Sequence, residues 1–312
     1  MVRGLQASIL IATRNRRDEL GRALASALAQ TAAAEVIVMD DASEDGTVDS
    51  VAERFPRVRL HRSPAPRGLV VQRNTGLRLA RAPVVVSIDD DATFSTPTIV
   101  EQTLHEFDHP RVGAVAIPLV DVEKSPAVQQ RSPTQDGIEV APVFRGGAFA
   151  VRRDVFLALG GFREVIFHQG EERDFCIRML AAGYVTRLGR AEPIYHFASP
   201  KRDLHRMDVY GRRNDILCSW HNDPLPYAPF RMAELTVKGI GWGLKVGRPL
   251  RMVRGLVMGY RMCWAERDAR APVPRSIYRL SRRLTRAGSR PLEDVEPLLD
   301  EPFPDAHLPR YA

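Results

Sequence analysis

The chain has 312 residues, 44% of them hydrophobic and 27% charged, which is enough apolar material for one large α/β domain with an extension and too much for a disordered chain. Its net charge of +7 is uneven, with Asp and Glu clustered before residue 200 and Arg dominant afterwards, so an anionic partner is expected for the C-terminal part. Cys176, Cys218 and Cys263 lie far apart, which argues against a zinc module and for a reducing compartment; no apolar run approaches the roughly 18 residues of a membrane span. A cytoplasmic protein is expected, with membrane contact at most peripheral, on the inner face.

In chain order, short β-branched runs at 7–12, 35–39, 58–61 and 84–88 alternate with helical patterns at 17–30, 47–55, 69–80 and 98–107. That alternation predicts βαβ units and a mainly parallel sheet with helices on both faces. After an apolar run at 112–120, the Pro-, Gln- and Ser-bearing stretch 125–136 reads as a loop or flap. An Arg145-Gly146-Gly147 turn, a short helix at 153–159, a Gly160-Gly161 stop and a helix at 171–182 closed by Gly183 follow. A helix at 203–220 leads into basic amphipathic helices over 226–290, and an acidic, proline-bearing tail from 291 is expected to be poorly ordered. The implied organisation is an α/β domain over 1–220, a helical extension over 221–290 and a flexible tail over 291–312.

Ligands of such sheets bind beyond the carboxyl ends of the strands. Three polar clusters each follow a predicted strand there: Thr13-Arg14-Asn15-Arg16, Asp40-Asp41-Ala42-Ser43 and Asp89-Asp90-Asp91. The repulsion within the aspartate triplet calls for a cation, ordered donors or solvent, and Mg²⁺ or Mn²⁺ carrying a diphosphate satisfies it with oxygen ligands. In extended backbone Asp89 and Asp91 share a side, leaving Asp90 without a direct role. Asp40, at a strand end, suits the imide N–H of a uracil or thymine ring. In Gly170-Glu171-Glu172-Arg173-Asp174, a carboxylate at a helix start can take a proton from an acceptor hydroxyl. His196, between Tyr195 and Phe197, reads either as a core histidine or as an imidazole for the same metal.

Together with the Arg73-Asn74-Thr75-Gly76-Leu77 helix, Phe144-Arg145-Gly146-Gly147-Ala148-Phe149 and Gly160-Gly161-Phe162, these clusters resemble in order and spacing the glycosyltransferase family 2 pattern of GT-A fold enzymes over roughly residues 7–220. The resemblance implies inverting transfer of a hexosyl or deoxyhexosyl group from a nucleotide-diphosphate sugar, UDP- or dTDP-linked, to a glycan, lipid-linked or small-molecule hydroxyl. By position, Thr13, Asp40 and Arg73 would hold the nucleotide, Asp89 its ribose or the metal shell, Asp91 the metal, His196 a further metal or diphosphate contact, and Glu172 the base, with Glu171 and Asp174 as alternatives. Ala12 and Arg14 replace the Pro and Tyr usual at the family's opening, so Arg14 would stack on the base or bind phosphate. The segment His205–Asn214 is similar to the helix that follows the core in rhamnosyltransferase-like members, where Arg213 would close over the diphosphate.

Two other classes fit the sequence less well. Nucleic-acid binding through the Arg-rich half would need a reader motif, which is absent, and tolerance of the acidic clusters. A sugar-phosphate nucleotidyltransferase would need a Gly-rich phosphate loop where Thr13-Arg14-Asn15-Arg16 stands.

Overall fold

A computed structural model describes residues 4–197 and 203–301. The first half runs β1 (Ala7–Thr13), α1 (Arg17–Leu28), β2 (Ala34–Asp40), α2 (Thr47–Arg54), β3 (Arg59–Arg62), α3 (Leu69–Leu79), β4 (Val84–Asp89), β5 (Ala92–Phe94), α4 (Ile99–His105), β6 (Val112–Ala116) and β7 (Leu119–Asp121). The second half runs β8 (Glu139–Ala141), β9 (Ala148–Arg152), α5 (Arg153–Ala158), α6 (Glu171–Ala181), β10 (Val185–Leu188), β11 (Ile194–His196), α7 (Leu204–Asn222), α8 (Tyr227–Lys245), α9 (Pro249–Ala265), α10 (Arg275–Ala287), β12 (Arg290–Pro291) and α11 (Leu292–Val295).

The main sheet has nine strands in the order β12-β8-β10-β6-β9-β4-β1-β2-β3. From β3 to β4 it is parallel, as the βαβ alternation predicts, and β10 is parallel to β6. β9 enters antiparallel between β4 and β6, making the sheet mixed. Its sequence, Ala-Phe-Ala-Val-Arg, is fully buried, and a run that is apolar on both faces lacks the alternation that marks a strand.

Period-2 alternation divides the core between the two faces of the sheet. Ile9, Ile11, Val84, Val86 and Ile88 pack into one cluster with α1, α4 and α10, whereas Leu10 and Val85 pack into a second with α3, α5 and α6. The second cluster centres on Phe144, Phe149, Phe156, Phe162 and Phe175, whose rings meet stacked or edge-on. A small separate sheet, β5-β11-β7, pairs His196 with Ala92 on one side and Asp121 on the other, which carries His196 to the end of the aspartate triplet.

The expected C-terminal division changes in one respect. Arg290 and Pro291 pair with β8, and Leu292 and Val295 are buried in the same core as Ile277, Leu280 and Leu284 of α10. Ordered structure therefore extends past 291, where a poorly ordered tail was expected, because two apolar side chains find space beside the β8 edge. Residues 302–312 of that tail lie outside the described residues. By contrast, α7, α8 and α9 form their own layer around Ile216, Leu217, Met232, Leu235 and Leu256. Gly255 and Gly259 allow α9 to press on α7: a Cβ at Gly255 would stand 2.3 Å from the Val209 carbonyl oxygen, and one at Gly259 2.9 Å from that of Arg213.

Candidate active site

The carboxyl ends of β1, β2 and β4 open on a cavity of about 760 Å³, lined by Thr13 to Arg16, Asp41, Asp89 to Asp91, Gly146, Gly147, Glu172 and His196 among others. The three polar clusters thus converge at one sheet edge, as the alternation of elements requires.

The aspartates divide by direction. Asp90 turns inward, accepting hydrogen bonds from the Thr13 hydroxyl (2.8 Å) and Arg16 Nη1 (2.7 Å); burial pushes its carboxyl up to about 7 against the pull of Arg16. Asp91 accepts from Arg16 Nη1 at 3.0 Å and lies 3.3 Å from His196 Nε2, which is also 3.9 Å from Asp89 Oδ2. One ligand atom from each of Asp89, Asp91 and His196 falls within 4.8 Å of the others. The two carboxylates match the oxygen preference of Mg²⁺ or Mn²⁺, with the imidazole as a nitrogen donor beside them. The hydrogen bond and charge of Asp91 raise the pKa of His196 above its ordinary value against the effect of burial.

Several neighbours hold this group in place. Arg73 is buried and donates to Asp89 (2.8 Å), Glu171 (3.2 Å) and the Gly146 carbonyl (2.6 Å). The Gly146-Gly147 pair leaves the room these groups need. A Cβ at Gly146 would stand 2.3 Å from Glu172 Oε1 and 2.6 Å from Arg73 Nη1; one at Gly147 would stand 2.8 Å from Asp89 Oδ2. Asp121, buried on β7, lies 3.9 Å from His196 Nδ1 and is held by Lys124 at 2.5 Å.

The three acidic residues opening α6 have separate fates. Glu171 is buried against Arg73, and burial with the adjacent Glu172 charge pushes its carboxyl up to about 8. Asp174 is fully buried and accepts from Arg163, from Arg178 at 2.9 Å and from Asn222 at 2.8 Å. Of the three, Glu172 alone lines the cavity.

Asp174 is a stability group. Burial raises its pKa, but Arg178, Arg163 and Asn222 overcome that and hold it below the ordinary carboxylate range. A carboxyl with a depressed folded pKa contributes stability that is present above its unfolded pKa and lost as pH falls through the folded one. Asp174→Ala is expected to destabilise the fold by about 3 kcal/mol near neutral pH, because it leaves two partly buried guanidinium groups without their carboxylate partner. Denaturant unfolding at neutral and acid pH checks both points: the difference from wild type should shrink only below the ordinary Asp range.

Three residues expected at the nucleotide stand elsewhere. Asp40 is fully buried behind the cleft, where its carboxylate accepts the Ser43 N–H at 3.1 Å and lies 3.7 Å from Arg62 Nε. Its neighbour Asp41 lines the cavity and accepts from the Arg67 and Gly68 N–H groups and from Gln72. Arg73 is taken up by the acceptors named above. Arg213 donates to the Val165 carbonyl at 2.6 Å and to Asn214 at 2.9 Å, with its guanidinium over the Tyr210 ring, and neither arginine lines the cavity. Thr13 and Arg14 do line it.

Phe167, His168 and Gln169, which carry no signal in the sequence, complete the far wall together with Arg206 and Met207 of the His205–Asn214 segment. Burial, with Arg206 and Arg73 nearby, lowers the pKa of His168 to about 4, so it faces the cavity as a neutral imidazole. The Arg206 guanidinium stacks 4.8 Å from the Phe167 ring centroid.

Comparison with known proteins gives a consistent picture. Residues 8–161 match the model of glycosyl transferase family 2. A 90-residue stretch is 37% identical to the succinoglycan biosynthesis protein ExoU of Rhizobium meliloti (strain 1021), covering 28% of this chain and 26% of that protein, so the chain spans about a quarter of that relative's length. Among solved structures, the mannosyltransferase PcManGT of Pyrobaculum calidifontis, in complex with GDP-Man and Mn²⁺, superposes with a TM-score of 0.58 at 22% identity, over 82% of this chain and 75% of that one. Residues 1–349 of S. aureus TarS, in complex with UDP, give 0.55 at 17% identity, over 75% and 70% of the two chains. Residues 8–161 thus match a glycosyl transferase family 2 domain, and the chain has a GT-A-type α/β fold with a helical C-terminal region.

Proposed function

We propose that this protein is an inverting glycosyltransferase that moves a sugar from a nucleotide-diphosphate donor to an acceptor hydroxyl, in the synthesis of a polysaccharide, glycolipid or glycosylated metabolite. The observation that carries this reading is one cleft in which Asp89, Asp91 and His196 gather at a family 2 sheet edge while Glu172 faces the same space. The acceptor oxygen forms a bond to the anomeric carbon, the bond from that carbon to the diphosphate oxygen breaks, and its electron pair leaves with the diphosphate. Glu172 takes the acceptor's proton. A Mg²⁺ or Mn²⁺ held by Asp91, Asp89 and His196 would neutralise the charge that develops on the leaving group.

In this reading Arg73 acts through Asp89 and Gly146 and holds the ligand geometry, while the nucleotide rests against Thr13, Arg14 and Asp41. UDP- and dTDP-sugars are the favoured donors, since Asp41 brings a carboxylate into the cavity at the end of β2, where an imide N–H can be read. GDP-Man, the ligand of PcManGT, belongs in the same comparison.

A panel of nucleotide sugars, measured by thermal shift with Mn²⁺ and again with EDTA, tests the donor half. At 100 times its Kd, a cognate donor should stabilise the fold by about 2.7 kcal/mol, and chelation should remove most of that gain. If no nucleotide sugar shifts the melting temperature with metal present, the reading is wrong.

A further inference from the structure

Helices α8 and α9 each bury one face and leave a second apolar face in solvent. On α8 the buried side is Ala228, Met232, Leu235, Gly239 and Gly243; on α9 it is Met252, Gly255, Leu256, Gly259 and Cys263. Roughly opposite on α8, at a spacing of seven, stand Phe230, Val237 and Leu244, with relative exposures of 74%, 71% and 67%. α9 repeats the spacing with Leu250, Val257 and Trp264, at 83%, 45% and 74%. The Thr236 and Tyr260 hydroxyls meet at 2.9 Å across the two helices, which joins the stripes into one face. An ordinary amphipathic surface helix turns polar residues outward, so two adjacent helices that do the reverse mark a binding surface.

The charge around this face selects its partner. Residues 227–267 contain eight Arg and Lys against two Glu. Among the described residues, Lys245, Arg254 and Arg261 enter no ion pair, while Arg248 and Arg251 share Asp208. Trp242, Tyr260 and Trp264 are the amphipathic aromatics that favour a headgroup layer. A second copy of the chain would bring the same positive rim against itself and be repelled. No helix among the described residues is long and apolar enough to cross a membrane.

We propose that the outer face of α8 and α9 docks on an anionic lipid bilayer, its apolar stripes entering the headgroup boundary and its Arg and Lys meeting lipid phosphates. The placement relative to the cleft fits. Arg254 and Met258 of α9 line a second cavity of about 340 Å³ together with Phe167, Asp203 and Arg206, which also line the main cleft. On the transferase reading, an acceptor hydroxyl carried at the headgroup level would enter the cleft by this side; the docking itself does not depend on that reading, and its test uses no substrate.

The test is sedimentation of the full chain with phosphatidylcholine vesicles, with and without phosphatidylglycerol, at low and high salt. Binding to the anionic vesicles is expected, weakening with salt. The pair Lys245→Glu with Arg261→Glu should lower the partition coefficient about tenfold or more. The set Val237→Ser, Leu250→Ser and Trp264→Ser should lower it likewise, and these exposed positions should leave the melting temperature close to wild type. If the serine set fails to fold, the charge-reversed pair still decides the matter. No binding to anionic vesicles at low salt would overturn the proposal, as would equal binding to neutral vesicles. A concentration-dependent dimer that the serine set dissociates, in a chain that binds no vesicle, would assign the face to a second copy instead.

Discussion

Asp91→Ala is expected to lower metal-dependent turnover of the donor by about 10³-fold, equivalent to about 4 kcal/mol of lost transition-state stabilisation. Asp91 is the carboxylate between Arg16 and His196 at the mouth of β4, so its loss removes a central member of the proposed metal group. The fold should survive, since Arg16 keeps its 2.7 Å contact with Asp90 and the substitution removes charge from a crowded acidic cluster. Steady-state kinetics with Mn²⁺ titrated, alongside a melting curve, separates the two effects. Unchanged turnover in a folded variant would remove Asp91 from the mechanism. Asp90→Asn is the informative contrast: Asp90 points at Thr13 and Arg16, and the variant should keep its metal dependence.

Glu172→Gln is expected to lower kcat by about 10²- to 10⁴-fold while leaving the KM for the donor near its wild-type value, because the amide keeps the shape of the side chain and loses only the proton acceptor. The neighbouring carboxylates should respond differently. Glu171→Gln weakens the buried contact with Arg73 and through it the position of Asp89, so it should raise the KM for the donor or for metal together with any loss in kcat. Asp174→Asn should act on stability, since its partners Arg163, Arg178 and Asn222 face away from the cleft chemistry. Full kcat in Glu172→Gln, with kcat lost in Glu171→Gln, would move the base to Glu171.

Much of this arrangement is legible in the sequence. Strands β1, β2 and β4 announce themselves as β-branched runs followed by polar clusters, and the rule that ligands meet the carboxyl ends of parallel strands is enough to bring Thr13, Asp41 and the aspartate triplet to one cleft. What could not be read depends on distant partners. Arg73 looks like a ligand-binding arginine until its acceptors are known, and two of the three, Gly146 and Glu171, are 73 and 98 residues away. Arg213 is consumed in the same way by Val165. The choice between Asp40 and Asp41 is a matter of one residue of strand register, which decides which side chain faces the core. Asp121 gives no signal because it belongs to a three-residue strand whose meaning comes only from pairing with His196.

The C-terminal third shows the same division. Its basic, apolar helices are evident from composition, but whether they cover the catalytic domain or face outward is not. Both occur: α10 and α11 fill the core beside β8, and α8 and α9 turn a second apolar face to solvent. The difference lies in small residues. Gly239, Gly243, Gly255 and Gly259 let α8 and α9 pack closely through their inner sides, so the larger Phe, Leu, Val and Trp side chains are left outside.

In the proposed mechanism Asp89, Asp91 and His196 form one cation site that orders a nucleoside diphosphate in the cleft. The most direct measurement is a crystal structure grown with Mn²⁺ and UDP, with data collected to give the anomalous signal of manganese. One anomalous peak is expected within coordination distance of Asp91 and His196, with the base beside Asp41. A peak bound elsewhere, or a nucleotide ordered in the cleft with no manganese at these side chains, would contradict the proposed mechanism.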